Sequence, residues 1–272
     1  MNEVPIGSEV LIKKTGKKAV LIEIQHFPTT FKVKDEDDLD SICEKLKPEL
    51  PFSRILSIPD RLNVKGNLIS LDSPLVMGIL NINPDSFFSE SRTQTPDLIK
   101  AKAAKMLGDG ASIIDIGGYS TRPGAAEVTQ REETNRVILA VETILKDFPE
   151  TVISVDTFRS AVAKAGIETG AAIINDVSGG LLDEEMFATV AKLRVPYILM
   201  HMRGTPQTMS NLTNYDNLLV DVCTELDAQL AKLKALGVAD VVLDPGFGFA
   251  KTVEQNYEML KNLSYFQGVH HV

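Results

Sequence analysis

Val76-Met-Gly-Ile-Leu-Asn81, Ser112-Ile-Ile-Asp115, Val152-Ile-Ser-Val-Asp156, Ile173-Ile-Asn175-Asp176, Tyr197-Ile-Leu-Met-His201 and Val241-Val-Leu-Asp244 are short apolar runs, and each ends on a polar residue. Runs apolar on both faces are what strands buried in a parallel sheet require. The stretches between them carry the spacing of amphipathic helices, near residues 95–109, 131–148, 159–169, 184–193, 218–236 and 253–265. A chain that repeats strand, polar tip, loop and helix builds a (β/α) barrel or a doubly wound sheet. Both place chemistry at the carboxyl ends of the strands, so the six polar tips are the first candidates for an active site.

Six βα units are present, whereas an eight-fold barrel needs eight, and the chain stops after the sixth helix in Gly268-Val-His-His-Val272. The expectation is therefore an open six-stranded sheet or a barrel lacking its last two units. Residues 1–60 do not share this rhythm. Strand-like patterns at 9–13, 19–27 and 31–34, the acidic cap Asp35-Glu-Asp-Asp38 and helical spacing over 39–46 suggest a small α/β appendage of unknown role. Pro48, Pro51 and Pro59 mark a linker to the main domain at 61–272. Residues 62–71 alternate around Gly66-Asn67 and read as a hairpin, which in a barrel would plug the end opposite the active site.

The balance of 37 acidic against 28 basic side chains gives a net charge of -9. That argues against nucleic-acid or anionic-membrane partners, so an anionic substrate must be held by a few local cations. Cys43 and Cys223 have neither metal nor redox spacing, which fits a reduced cytosolic protein. The amino terminus has no basic and apolar leader pattern, and no apolar run approaches about 18 residues. A cytoplasmic location is expected.

After the first strand, Asn81-Ile-Asn-Pro-Asp-Ser-Phe-Phe88 is a turn-forming segment, and the Asn81 side chain could offer its oxygen to a hard cation or its amide to a phosphate. The second loop, Asp115-Ile-Gly-Gly-Tyr-Ser-Thr-Arg-Pro-Gly124, is the strongest local signal. Its glycines permit close backbone approach, Ser120 and Thr121 supply hydroxyls, and Arg122 carries a fork suited to phosphate or carboxylate. Asp156-Thr157, Asn175-Asp176 and Asp244, followed by Phe249 and Lys251, add carboxylates and an amide to the same mouth. A single Asp at a strand end commonly caps the next helix, but several converging ones suit a flat heterocycle with many N–H donors. His201 reads equally as a structural or a ligand-contacting histidine, and the helix over 218–236 reads as packing only.

These segments, with Ser154-Val-Asp-Thr157, Ile174-Asn-Asp-Val-Ser-Gly179, Leu199-Met-His-Met202 and Leu243-Asp-Pro-Gly-Phe-Gly-Phe249, resemble in order the dihydropteroate synthase family of folate biosynthesis. The resemblance runs from about Leu62 to Phe266. It implies a TIM (β/α)8-type barrel, and the joining of 6-hydroxymethyl-7,8-dihydropterin diphosphate to p-aminobenzoate with Mg²⁺ assistance. By similarity, Asp115, Asp156, Asn175 and Asp244 line the pterin slot with Lys251 nearby. Asn81 would serve the metal and diphosphate, and Arg122 the diphosphate. Ser120, Thr121, Pro123 and Phe249 would shape the p-aminobenzoate pocket, with Asn81, Arg122 and Asp115 carrying the chemistry. Synthases of this kind are often homodimers.

The chain departs from the family pattern at Asn83, where Thr is usual, at Tyr119, where Glu is usual, and at Ala250, where Gly is common. The family's Ser-Arg-Lys segment and its last-strand Arg and His have no clear match. The alternatives are a pterin-dependent methyltransferase domain, or a catalytically silent pterin-binding subunit that lacks the basic clamp.

Overall fold

The computed structural model describes residues 61–82, 95–120 and 127–266, together with the backbone of four short upstream strands. Those strands are β1 (Asn2–Glu3), β2 (Ile12–Thr15), β3 (Lys18–Leu21) and β4 (Lys32–Val33). They pair as antiparallel β1–β4 and β2–β3, and among the described residues neither pair joins another sheet. The helix expected over 39–46 and Cys43 lie outside the described residues.

The predicted hairpin consists of β5 (Arg61–Val64) and β6 (Asn67–Ser70). Its reversal sits at Lys65-Gly66, one residue earlier than the expected Gly66-Asn67. The two-residue turn places both central residues at positive φ, 52° and 85°, and Asn67 already pairs with Val64 in the ladder. Leu62 and Val64 pack on Ile113, Ala172 and Ile173. The Asn63 amide donates to Asp240 Oδ1 at 3.1 Å, and Lys65 Nζ donates to the Gly170 carbonyl. Gly170 and Asp240 precede strands, so the hairpin covers the amino end of the sheet, away from the polar tips.

The main sheet holds β7 (Met77–Asn81), β8 (Ile113–Gly117), β9 (Val152–Asp156), β10 (Ile173–Asp176), β11 (Tyr197–Met200) and β12 (Val241–Asp244). All pairings are parallel and the spatial order is strictly sequential. A doubly wound sheet reverses its order at a switch point, so the sequential order decides for barrel winding. Among the described residues β7 and β12 remain edges, and Val76 and Ile79 at the β7 edge are 60% and 64% exposed.

The intervening helices are α1 (Pro96–Gly108), α2 (Gln130–Asp147), α3 (Ser160–Thr169), α4 (Met186–Leu193), α5 (Leu218–Ala235) and α6 (Val253–Lys261), followed by the single turn α7 (Leu263–Phe266). Their starts follow from sequence. Thr95, Thr129 and Asn217 accept from backbone amides of the first turn, and Thr252 with Gln255 forms a capping box. The last expected helix is interrupted at Asn262, which caps α6.

Strand alternation then sorts the side chains. Leu80, Ile114, Ile116, Ile153, Val155, Ile174, Tyr197, Leu199 and Leu243 are buried toward the helices. On the other face, Met77, Ile113, Val152 and Ile173 meet the hairpin, while Asp115, Ser154, Asp156, Asn175 and Asp244 stand farther along the strands. That face therefore grades from an apolar floor to a polar mouth.

Candidate active site

The register sets the mouth residue by residue. Asn81 pairs with Gly117, Gly117 with Asp156, and Asp156 with Asn175, so four adjacent strand tips form one row. A β-carbon on Gly117 would lie 2.7 Å from Asn81 Oδ1 and 3.2 Å from Asp156 Oδ2. The missing side chain is what lets an amide oxygen and a carboxylate oxygen converge above this strand.

One step deeper, Asn175 Nδ2 donates to Asp115 Oδ2 at 3.0 Å, reaching across β9. Asp115 Oδ1 and Asn175 Oδ1 are buried and have no hydrogen-bond partner among the described residues. Buried polar atoms are ordinarily paired, so two orphaned acceptors side by side mark a place for a donor-bearing ligand. Ser154, opposite Asp115 in the ladder, favours its charge without meeting hydrogen-bond geometry.

Burial pushes the Asp115 carboxyl above its ordinary range. Asp156 is raised well above the usual value, by burial first and then by the charges of Asp115, Asp176 and Glu133. Burial also raises Asp244, opposed by the Gly246 amide, which donates to Asp244 Oδ1 at 2.7 Å, and by the Lys251 charge. Such a cluster resists full ionisation and is relieved by positive charge placed in the mouth.

Lys251 supplies a buried cation here. Its Nζ donates to the carbonyls of Gly246 at 3.0 Å and Phe249 at 2.9 Å, and stands 3.0 Å from His201 Nδ1. Desolvation brings its pKa down to about 7. Phe249 packs with Val177, Met200, Met202, Met209 and Ala250 beside it. Gly246, at φ 73°, admits no side chain, because a β-carbon would sit 2.1 Å from the His201 carbonyl.

Two sequence expectations are corrected. Asp176 does not face the mouth with Asn175, because successive residues of a strand point to opposite faces. It is fully buried on the helix side, accepting from Tyr197 Oη at 2.7 Å, Ser178 Oγ at 2.7 Å and the Gly180 amide at 2.9 Å. The α5 helix does more than pack, since its Glu225 contacts His201 Nε2 at 3.0 Å.

Ser120 lies half-buried just past β8, with three strands between it and the strand that leads to Phe249. Thr121, Arg122, Pro123 and Asn83 lie outside the described residues. Around the second loop the structure reveals residues that the motif reading missed. Buried Glu133 accepts from Thr157 Oγ1 at 2.6 Å and from Arg159 Nη1 at 2.5 Å, and Arg159 Nη1 also donates to the Val128 carbonyl at 3.0 Å. The Arg159 guanidinium lies 5.2 Å from the centre of the Tyr119 ring and 5.0 Å from that of Phe158. The sequence did carry a signal: Glu133, Val137, Ala140, Val141 and Ile144 form the buried stripe of α2, and a carboxylate at its head needs a partner.

Among the described residues, no group of three or more His, Cys, Asp and Glu side chains is placed to hold a metal ion, and no helix is long and apolar enough to cross a membrane. Cys223 is free and buried.

Residues 77–271 match the family described as pterin binding enzyme. The chain is 41% identical over 223 residues to the folic acid synthesis protein fol1 of Pneumocystis carinii, covering 80% of this chain but only 29% of that protein. It is 38% identical over 229 residues to the dihydropteroate synthase of Synechocystis sp., covering 84% of this chain and 75% of the other. Among solved structures, the Yersinia pestis dihydropteroate synthase with a sulfonamide drug complex is 40% identical and superposes with a TM-score of 0.70, over 75% of this chain and 74% of that one. Sequential barrel winding, a polar row at the strand tips and these likenesses lead to one assignment: the chain belongs to the pterin-binding enzyme family, among the dihydropteroate synthases.

Proposed function

We propose that the chain condenses 6-hydroxymethyl-7,8-dihydropterin diphosphate with p-aminobenzoate, releasing diphosphate. The observation that carries this reading is the buried acceptor pair of Asp115 Oδ1 and Asn175 Oδ1. Asn175 spends a donor on Asp115, so its carbonyl is left to accept, and the amino and ring N–H groups of a pterin supply what the pair needs. Asp244 extends the acceptor edge from β12. The Pneumocystis relative is named for folic acid synthesis and the Synechocystis relative for dihydropteroate synthesis, which supports the same chemistry for this chain.

The carbon–oxygen bond to diphosphate breaks with its electron pair leaving on the diphosphate, and the electron-rich pterin ring shares the positive charge. Carboxylates crowded together and resisting ionisation stabilise that cation, which is the main electrostatic service of the site. The aromatic amine then forms the carbon–nitrogen bond and passes its proton to the released diphosphate or to water. No serine, cysteine or histidine nucleophile is required. Arg122 would hold diphosphate oxygens, and Ser120, Thr121, Pro123 and Phe249 would shape the p-aminobenzoate pocket.

Mg²⁺ would be held above Gly117 by Asn81 Oδ1 and Asp156 Oδ2, hard oxygens that converge where the side chain is missing. A small divalent cation commonly takes one or two protein oxygens and completes its shell with water and phosphate oxygens. When bound, it would offset the charge of the leaving diphosphate.

The test is diphosphate release with pterin diphosphate, p-aminobenzoate and Mg²⁺, leaving out each in turn. Release that requires both organic substrates supports the synthase. Binding of the pterin without release supports a silent binding subunit, and methyl transfer from a folate supports the methyltransferase alternative.

A further inference from the structure

Four side chains form a line running from the α5 surface into the mouth. Arg203 Nε donates to Glu225 Oε1 at 3.0 Å, and its guanidinium stacks 3.9 Å from the centre of the Tyr215 ring. Tyr215 Oη donates to the Ala250 carbonyl at 3.0 Å, which ties the same assembly to the segment bearing Phe249 and Lys251. Glu225 meets His201 Nε2 at 3.0 Å, and His201 Nδ1 meets Lys251 Nζ at 3.0 Å. Sequence reading assigned no role to Glu225.

The chemistry of the line fixes its protons. Arg203 and His201 hold the Glu225 carboxyl down to about 2 against the effect of its partial burial, so Glu225 stays ionised and can only accept. His201 Nε2 therefore carries the ring proton. That leaves the Nδ1 lone pair to accept from the Lys251 ammonium. With the Gly246 and Phe249 carbonyls, His201 satisfies all three ammonium donors.

The consequence lies at Asp244. Lys251 senses the Asp244 charge, yet among the described residues the two form no direct ion pair. Both are tied to Gly246 instead, Asp244 to its amide and Lys251 to its carbonyl. An ammonium released from His201 would swing onto Asp244 and occupy the acceptor that a pterin donor needs.

We propose that Glu225 and His201 are positioning residues for the pterin: Glu225 sets the His201 tautomer, and His201 holds the Lys251 ammonium off Asp244. This rests on reading Asp244 and Lys251 as part of the pterin site. It adds a requirement on Glu225, which reaches Lys251 only through His201.

The test is calorimetric titration of the full chain with 6-hydroxymethylpterin diphosphate, comparing wild type with Glu225→Gln, His201→Leu, His201→Asn, Lys251→Ala and each of the first two combined with Lys251→Ala. Thermal melts check folding; His201→Asn, whose amide oxygen can still accept from Lys251, should bind closer to wild type than His201→Leu, and Glu225→Gln carries the test if His201→Leu melts early. Glu225→Gln and His201→Leu should each weaken binding about tenfold, and neither should weaken it further once Lys251 is alanine, as expected of residues acting through one another. Lys251→Ala alone should bind about as well as wild type, because it removes the group that would otherwise block Asp244; no binding of the pterin by wild type itself would overturn the pterin-site reading, and the proposal with it. Wild-type affinity in Glu225→Gln and His201→Leu, or an equal loss on both Lys251 backgrounds, would overturn the proposal while leaving the site assignment standing.

Discussion

Asn175 Nδ2 donates to Asp115 Oδ2 across 3.0 Å, joining the tips of two strands that are separated by β9. The bond leaves one oxygen of each residue buried without a partner among the described residues. The fold carries this arrangement at a cost in stability, and the cost depends on pH. Burial raises the Asp115 pKa, so its protonation favours the folded state. Its stabilising contribution is full below about pH 4, the ordinary carboxylate value, and is lost as pH rises through the folded value. Replacing Asp115 by the isosteric Asn should raise the melting temperature at pH 7 and flatten its fall as pH rises above about 4. His201 and Lys251 are both shifted down and act oppositely as pH rises, but they are common to both proteins, so the difference curve reads Asp115 together with the relief that its neutralisation gives Asp156. A variant that melts earlier than wild type at pH 7 would contradict this.

Gly117 holds its place for the space above it rather than for backbone freedom. Gly117→Ala should displace Asn81 Oδ1, 2.7 Å from the added carbon, and crowd Asp156 Oδ2. Diphosphate release should drop at least about tenfold while stability changes by no more than about 1–2 kcal/mol, the cost of modest overpacking. Steady-state rates and urea unfolding separate the two.

Ala250 occupies a left-handed conformation, φ 50°, which explains why Gly suits this position. Its methyl is nevertheless buried beside Met200, Met202 and Met209. Ala250→Gly relieves roughly 1 kcal/mol of strain and gives up roughly 0.8 kcal/mol of burial, so it should be nearly neutral. Ala250→Val, β-branched at positive φ, should lower the melting temperature clearly.

Glu133 joins Thr157 and Arg159 inside the protein. Glu133→Ala would strand the Arg159 charge and should cost about 3–5 kcal/mol in urea unfolding, the usual effect of breaking a buried pair from one side. A loss below about 1 kcal/mol would mean that Arg159 finds water instead.

The parallel sheet was legible because each strand is apolar on both faces and ends abruptly, as with Val152-Ile-Ser-Val-Asp156. That pattern served a barrel and a doubly wound sheet equally, and the winding rested on the family resemblance until the strand order decided it. The helices were legible through their amphipathic spacing, and the structure adds the caps that start them, Thr95 and the Thr252–Gln255 box among them. Asn81, Asp115, Asp156, Asn175 and Asp244 could be placed because strand tips share one end of a parallel sheet. What stayed hidden depended on parity and on long-range partners. Asp176 sits one residue beyond Asn175 and so faces the helices, where Tyr197 satisfies it. Glu225 gains meaning only when α5 packs against β11 and meets His201, 24 residues away in sequence. The hairpin turn shifted by one residue because its geometry needs two positive φ angles, which a pattern of alternation does not record.

The most direct measurement is calorimetric titration of a pterin into wild type and into Asn175→Leu and Asp244→Leu variants. The account predicts binding by the wild type and a loss of about 10²-fold or more in each variant, since the donors of the bound pterin would be left unpaired in a buried site. Equal affinity in all three proteins would show that the strand-tip acceptors do not read the pterin, and the central claim would fall.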